Sequence, residues 1–242
     1  ALESRAAGGL RGDPRVREAL ERRNETIAGF WLGRDGGRDY RVAELEGRDV
    51  LIVDAEDTFT AMIEQQLRAL GLSVTVRRFD EPYDFDGHDL VVMGPGPGDP
   101  RDLGHPKISH LRGAVRRLLD EERPFLAVCL SHQVLSMLLG LRLARREKPN
   151  QGVQKEIDLF GRRMRVGFYN TYAAYCEDDK LEHPYARGVI EVCRDAASGE
   201  VHALRGPRFR SLQFHAESVL TEHGPRILSD MLASLLGDGL KG

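Results

Sequence analysis

Short unbroken apolar runs alternate with longer stretches of helical spacing through the first two thirds of the chain. Val50-Leu-Ile-Val53, Leu90-Val-Val-Met93 and Phe125-Leu-Ala-Val128 have the length and residue types of buried strands. Between them, Phe59, Met62, Ile63, Leu67 and Leu70 recur every three or four residues, which predicts a helix capped by Thr58 and stopped by Gly71. Residues 72–79 read as a further strand. Ile108, Leu111, Val115, Leu118 and Leu119 mark a second helix. A third begins at Ser131, carries Val134, Leu135, Leu138 and Leu139, and ends at Gly140. The order β-α-β-β-α-β-α with short connections predicts an α/β fold: an open, mostly parallel sheet with flanking helices.

Beyond Gly140 the pattern changes. Residues 153–166, 189–194, 200–204 and 208–214 are short β-rich runs separated by Gly, Asp and Ser, and they read as a small antiparallel sheet. A last helix starts near Pro225 and carries Ile227, Leu228, Met231, Leu232 and Leu235. Upstream of the α/β pattern, Asp13-Pro14 is a helix start, and Val16, Leu20, Ile27 and Trp31 form an apolar stripe. Gly33 to Gly47 is polar and Gly-rich, a tether. The expected division is therefore a connector with an amphipathic helix at 1–47 and a domain at 48–242. A start at Ala1 suits a piece of a longer polypeptide.

Composition narrows the class. The 242 residues carry a formal net charge of −3, which argues against a nucleic-acid partner. The runs 120–123 and 145–148 mix both signs and read as solvated faces. No apolar segment approaches membrane-spanning length. Three cysteines without regular spacing point to a reducing compartment, the cytoplasm, rather than to a disulfide framework.

The chemistry concentrates at three places. Cys129 stands at the turn from an apolar strand into a helix, the nucleophile-elbow position, where helix N–H groups lie beside the thiol and favour its thiolate. His215-Ala-Glu217 follows the strand ending at Phe214; His215 can take the thiol proton and Glu217 can orient the imidazolium. Gly94-Pro-Gly-Pro-Gly-Asp-Pro100 lacks the Lys-Ser/Thr of a phosphate loop, and its prolines have no N–H to offer. Gly96 can instead turn an N–H toward an oxyanion, at a place where a Cβ would obstruct substrate. Cys193 reads as a core residue and His132 as structural; the remaining histidines show no metal-ligand spacing.

Taken together, Gly94 to Pro100, Ala127-Val-Cys-Leu-Ser-His-Gln133 and His215-Ala-Glu217 resemble the loop, elbow and histidine motifs of class I (triad-type) glutamine amidotransferases, over residues from about 48 to the end. The resemblance implies a flavodoxin-like class I glutaminase fold and hydrolysis of glutamine through Cys129, His215 and Glu217. It implies an oxyanion hole from the N–H groups of Gly96 and Leu130, and glutamine binding by Gly96, Pro97, Gly98, Gln133, Thr171 and Tyr172. Ala127, Ser131 and Ala216 depart from the family's glycine, glycine and proline; Ser131 matters most, because that position packs under the elbow. Phe168-Tyr-Asn-Thr-Tyr172 and Arg23-Asn with Phe30-Trp31 look like the C-terminal amidotransferase of phenazine-type aminodeoxyisochorismate synthases. In that family a chorismate-using domain precedes the glutaminase on the same chain, and the full-length enzyme is expected to be a homodimer. Its Mg²⁺ site would lie in that other domain; this chain is expected to need no metal or cofactor. Anthranilate synthase of tryptophan biosynthesis, a stand-alone γ-glutamyl hydrolase and an inactive docking subunit are the alternatives.

Overall fold

The computed structural model describes residues 30–31 and 39–237. The expected helix at 14–31 therefore lies outside the described residues, save that Phe30 and Trp31 meet edge to face, with ring centroids 4.8 Å apart. The chain divides into two compact units, 1–39 and 40–242.

The larger unit follows the expected order: β1 (Asp49–Asp54), α1 (Phe59–Ala69), β2 (Ser73–Arg78), β3 (Leu90–Met93), α2 (Pro106–Asp120), β4 (Phe125–Val128) and α3 (Leu130–Leu138). There follow β5 (Arg142–Arg145), β6 (Val153–Leu159), β7 (Arg162–Phe168), β8 (Tyr172–Tyr175), β9 (Lys180–His183), β10 (Gly188–Arg194), β11 (Val201–Arg205), β12 (Phe209–Leu212) and α4 (Gly224–Gly237). An eight-stranded sheet runs β2-β1-β3-β4-β12-β11-β10-β9. Its first five strands are parallel and its last three antiparallel. Two antiparallel ribbons, β5–β8 and β6–β7, stand beside it. Among the described residues no helix is long and apolar enough to cross a membrane.

The central strands β3 and β4 are buried along their whole length, which is why they appear in the sequence as unbroken apolar runs. Apolar side chains cover both faces. One layer joins α1 and α4 through Ile63, Leu67, Leu228 and Leu232; the other joins α2 and α3 through Leu111, Val115, Leu118 and Leu135. The carboxyl ends of β4 and β12 open on the same edge, where loops of a parallel sheet gather ligands.

Four expectations change. The boundary near residue 47 falls inside the larger unit, because Leu45 is fully buried and Val42 N–H donates to Leu70 O across 3.1 Å. The run 208–214 is not simply antiparallel: β12 pairs parallel with β4 and antiparallel with β11, joining the two halves of the sheet. Thr58 stands at the start of α1 without a side-chain cap; Asp57 Oδ1 accepts from Phe59 N–H at 2.9 Å instead. Arg146, in a run read as solvated, forms an ion pair with the buried Glu200.

Candidate active site

Cys129 joins β4 to α3 with φ 52° and ψ −100°, a backbone state that costs a non-glycine residue about 1–3 kcal/mol and is held only by its surroundings. Two hydrogen bonds do the holding. Cys129 N–H donates to Leu212 O at 2.8 Å, and Gln133 N–H donates back to Cys129 O at 3.1 Å. The sulfur thus sits at the amino end of α3, whose first N–H groups, Leu130 among them, have no acceptor within the helix.

His215 lies just past β12. Its N–H donates to Gly167 O at 3.0 Å, which bridges this segment to β7. The ring is 1% exposed. Nδ1 is 2.6 Å from Glu217 Oε1, and the Cys129 side chain is close enough to favour the charged imidazole. Phe59 and Tyr169 wall the imidazole, with centroids at 4.3 and 5.3 Å. Burial alone would push the histidine toward the neutral form. The charges of Glu217 and then of Cys129, with a hydrogen bond to each, outweigh it and hold His215 well above its ordinary pKa.

The glycine-proline loop reaches the same edge of the sheet. Gly96 has a further reason to be glycine: a Cβ there would stand 2.3 Å from Ala55 O, clashing with the backbone after β1. Gly98 has φ 141°, a conformation natural only to glycine. Ser131, where the family usually has glycine, is fully buried and donates its hydroxyl to Gly94 O at 2.7 Å. The extra group is thereby satisfied, and it ties α3 to the loop.

Gln133 Nε2 donates to Tyr172 O at 2.8 Å and to Gln213 Oε1 at 2.9 Å. Thr171 O accepts from Arg146 N–H. The carbonyls of both Thr171 and Tyr172 are therefore engaged, leaving their N–H groups as what this segment could offer a ligand. The Tyr172 hydroxyl donates to Asp99 Oδ2 at 2.8 Å, closing β8 onto the glycine-proline loop beyond Pro97 and Gly98. Arg101, the first cause, and Tyr172 hold Asp99 well below the usual carboxylate range.

The residues singled out in the sequence for the reaction lie at the elbow and in α3, in the glycine-proline loop, at or just before the start of β8, and after β12. Gln213, Asp99, Phe59 and Tyr169 were missed. For Gln213 a signal existed: Ser211, Gln213 and His215 are alternate residues, hence one face of an extended segment, and all three are buried where a core strand would be apolar. His132 is fully buried with Nδ1 2.8 Å from Ser211 Oγ. Cys193 lies in β10, its thiol pushed up to about 12 by burial. A cavity of about 450 Å³ between α4 and the β6–β7 hairpin, lined by Phe160, Arg162, Arg205 and Arg226, includes none of the residues grouped at Cys129. Among the described residues, no three His, Cys, Asp or Glu side chains are placed to hold a metal.

Comparison with known proteins places the sequence and the fold among relatives. The family model "Glutamine amidotransferase class-I" matches residues 51–235. The chain is 58% identical over 236 residues to a phenazine-specific anthranilate synthase of Pseudomonas fluorescens, covering 98% of this chain and 37% of that protein. It is 32% identical over 200 residues to the pyocyanine-specific anthranilate synthase component 2 of Pseudomonas aeruginosa, covering 76% of this chain and 92% of the relative. A glutamine amidotransferase structure from Thermotoga maritima superposes with a TM-score of 0.57 at 19% identity, covering 81% of this chain and 99% of the other. The chain spans little more than a third of the length of the phenazine-specific relatives it matches.

Proposed function

From the premise that the chain belongs to the class-I glutamine amidotransferase family, we propose that it hydrolyses glutamine through Cys129, His215 and Glu217. The ammonia serves a chorismate-using synthase region that makes 2-amino-2-deoxyisochorismate. The observation that carries the first half is the buried 2.6 Å contact between His215 Nδ1 and Glu217 Oε1, with the Cys129 side chain as a second neighbour that favours the imidazolium. His215 takes the thiol proton, and the sulfur attacks the side-chain amide carbon of glutamine. The oxyanion gathers against the N–H groups of Gly96 and Leu130, each donor worth about 10²–10³ in rate. His215 then protonates the departing nitrogen, releasing ammonia and leaving a glutamyl thioester. Water, deprotonated by the same imidazole, attacks the thioester, and glutamate leaves as the sulfur recovers its proton. Glu217 keeps the ring oriented and stabilises its charged form throughout.

Gly96 to Gly98, Gln133 and the N–H groups at Thr171 and Tyr172 form the glutamine subsite in this reading. The second half rests on the relatives: the P. fluorescens protein is much longer than this chain, which suits a synthase region on the same full-length polypeptide, assembled as a homodimer. Ammonia must arrive unprotonated to act as a nucleophile, so a closed route between the two sites has a physical rationale. Mg²⁺ belongs to the synthase half, and a nucleophilic thiol suits the reducing cytoplasm.

An electrophilic glutamine analogue should label Cys129, detected by mass spectrometry, and fail to label Cys129→Ser; unlabelled wild-type protein sinks the glutaminase reading. The chain mixed with a chorismate-converting partner and glutamine should give a non-aromatic amino product. The relatives' name, anthranilate synthase, favours a second reading, and an aromatic anthranilate product would establish it.

A further inference from the structure

We infer that Gln213 is a positioning residue that serves as the sulfur's second polar neighbour and sets the direction of a relay reaching it from β8. The inference rests on the proposed role of Cys129. Gln213 is fully buried, and its backbone is pinned by donation to His202 O at 2.8 Å. Its side-chain Nε2 is 3.8 Å from Cys129 Sγ, and its Oε1 accepts from Gln133 Nε2.

Amide groups can be turned end for end, so the question is which end faces sulfur. The surroundings decide it. Tyr172 O, 2.8 Å from the Gln133 side chain, is a carbonyl and can only accept. Gln133 must therefore present its NH₂ group there. The second N–H of that NH₂ meets Gln213, which must answer with oxygen. Gln213 is then obliged to turn its own NH₂ toward Cys129. A backbone carbonyl in β8 thus fixes, through two amides, that the sulfur meets a donor and not an acceptor.

A donor favours the thiolate over the thiol, because hydrogen bonds to a charged group are the stronger ones. The relay has a second effect. With both Gln133 N–H groups engaged, the Gln133 oxygen is the end left for a donor on the substrate. Gln213 therefore acts on two things at once: the hydrogen bonding of the Cys129 sulfur and the orientation of the residue beside it. It touches the reacting sulfur only as a neighbour and exchanges no atom with substrate.

The test is the pH profile of Cys129 alkylation by iodoacetamide in the 242-residue chain, followed by mass spectrometry. Gln213→Glu keeps the shape and the acceptor for Gln133 but sets a carboxylate oxygen against sulfur. It should slow alkylation at pH 7 by at least about tenfold and move the profile to higher pH by about one unit. Gln213→Met keeps the volume and removes both polar ends. It should slow alkylation and also raise KM for glutamine more than it lowers kcat. A wild-type profile in either folded variant overturns the inference. Should neither variant fold, ¹⁵N-labelled wild type decides: the Gln213 side-chain amide signal must shift as Cys129 titrates and stop doing so in Cys129→Ala. Failure of the glutaminase reading is distinguishable, since it would appear as wild-type Cys129 lacking both a reactive thiolate and analogue labelling, whatever happens at position 213.

Discussion

Three buried histidines, one in α3, one in β11 and one just past β12, differ in kind. His215, His132 and His202 are 1%, 0% and 5% exposed. Burial pushes all three toward the neutral imidazole. It wins at His132, whose pKa falls to about 3, and at His202, whose pKa falls to about 4. It loses at His215. Distance to a carboxylate alone does not explain the difference, because His202 also feels Glu200. Glu200, however, is paired with Arg146 and approached by Lys155 at 4.0 Å, so much of its field is already spent on cations. Glu217 makes a direct 2.6 Å contact with the imidazole, and the Cys129 sulfur adds a second favourable neighbour. A buried histidine keeps its affinity for a thiol proton when its acid is in direct contact with the ring.

The sharpest way to break the contrast is Glu217→Gln. The neutral amide keeps the shape and can still take part in a hydrogen bond, but it cannot stabilise an imidazolium. Burial then meets less opposition, and the His215 pKa should fall toward those of His132 and His202. Glutamine hydrolysis should drop by about 10²–10⁴-fold, measured as glutamate formed with the synthase partner present. Labelling of Cys129 by the glutamine analogue should slow in parallel. Unchanged labelling would mean that Glu217 has no electrostatic part in activating the thiol.

Next in size is the acid limb of stability. At His132 and His202 the unfolded chain binds a proton below about pH 6.5, while the folded chain stays neutral until its lowered pKa is reached. Stability therefore rises with pH across that interval and is lost on acidification, with a slope of about 1.4 kcal/mol per pH unit for each such histidine. His215 has the opposite sign. Its contribution is complete below the unfolded pKa and is lost as pH rises through the raised folded value, so it adds no slope between pH 5 and 6.5. Urea unfolding over that range should show the slope, and His202→Gln should remove about one histidine's share of it. If the variant and wild type give parallel curves, His202 is not buried neutral.

The contrast also explains what could be read from the residues alone. Cys129 and His215-Ala-Glu217 were legible because a thiol at a strand-to-helix turn and a histidine two residues from an acid are spacings with a chemical purpose. The parallel strands β1, β3 and β4 were legible as apolar runs, buried along the whole of β3 and β4 and over the four central residues of β1. β5, β8 and β9 were not, since half of their residues or more face outward or lie partly exposed and no run forms. The direction of β12 could not be read from Phe209-Arg-Ser-Leu212 either. All four residues are buried, and Arg210 donates to the carbonyls of Gly206 and Phe209 and to Ser234, partners supplied by the fold. Gln213 escaped for the same reason. Its alternation with Ser211 and His215 hints at a polar face, but its partner, a second glutamine 80 residues earlier in the chain and 2.9 Å away, is supplied by the fold.

The smallest expected effect concerns Ser131, the departure from the family pattern nearest the nucleophile. If the serine strained the elbow, replacing it with glycine would raise both stability and activity. The geometry argues otherwise. The hydroxyl is fully buried, yet it donates to Gly94 O at 2.7 Å, so the group added to the helix brings its own acceptor. Ser131→Gly gives up that bond, worth about 1 kcal/mol, and places a glycine in the first turn of α3 at a further cost of roughly 0.5 kcal/mol. The variant should lose about 1–2 kcal/mol in urea unfolding while glutamine hydrolysis changes only a few-fold, because neither the sulfur nor the imidazole is touched. Ser131→Ala isolates the hydroxyl and should lose about 1 kcal/mol. A gain of stability in either variant would show that the tie between α3 and the glycine-proline loop is a strain rather than a support.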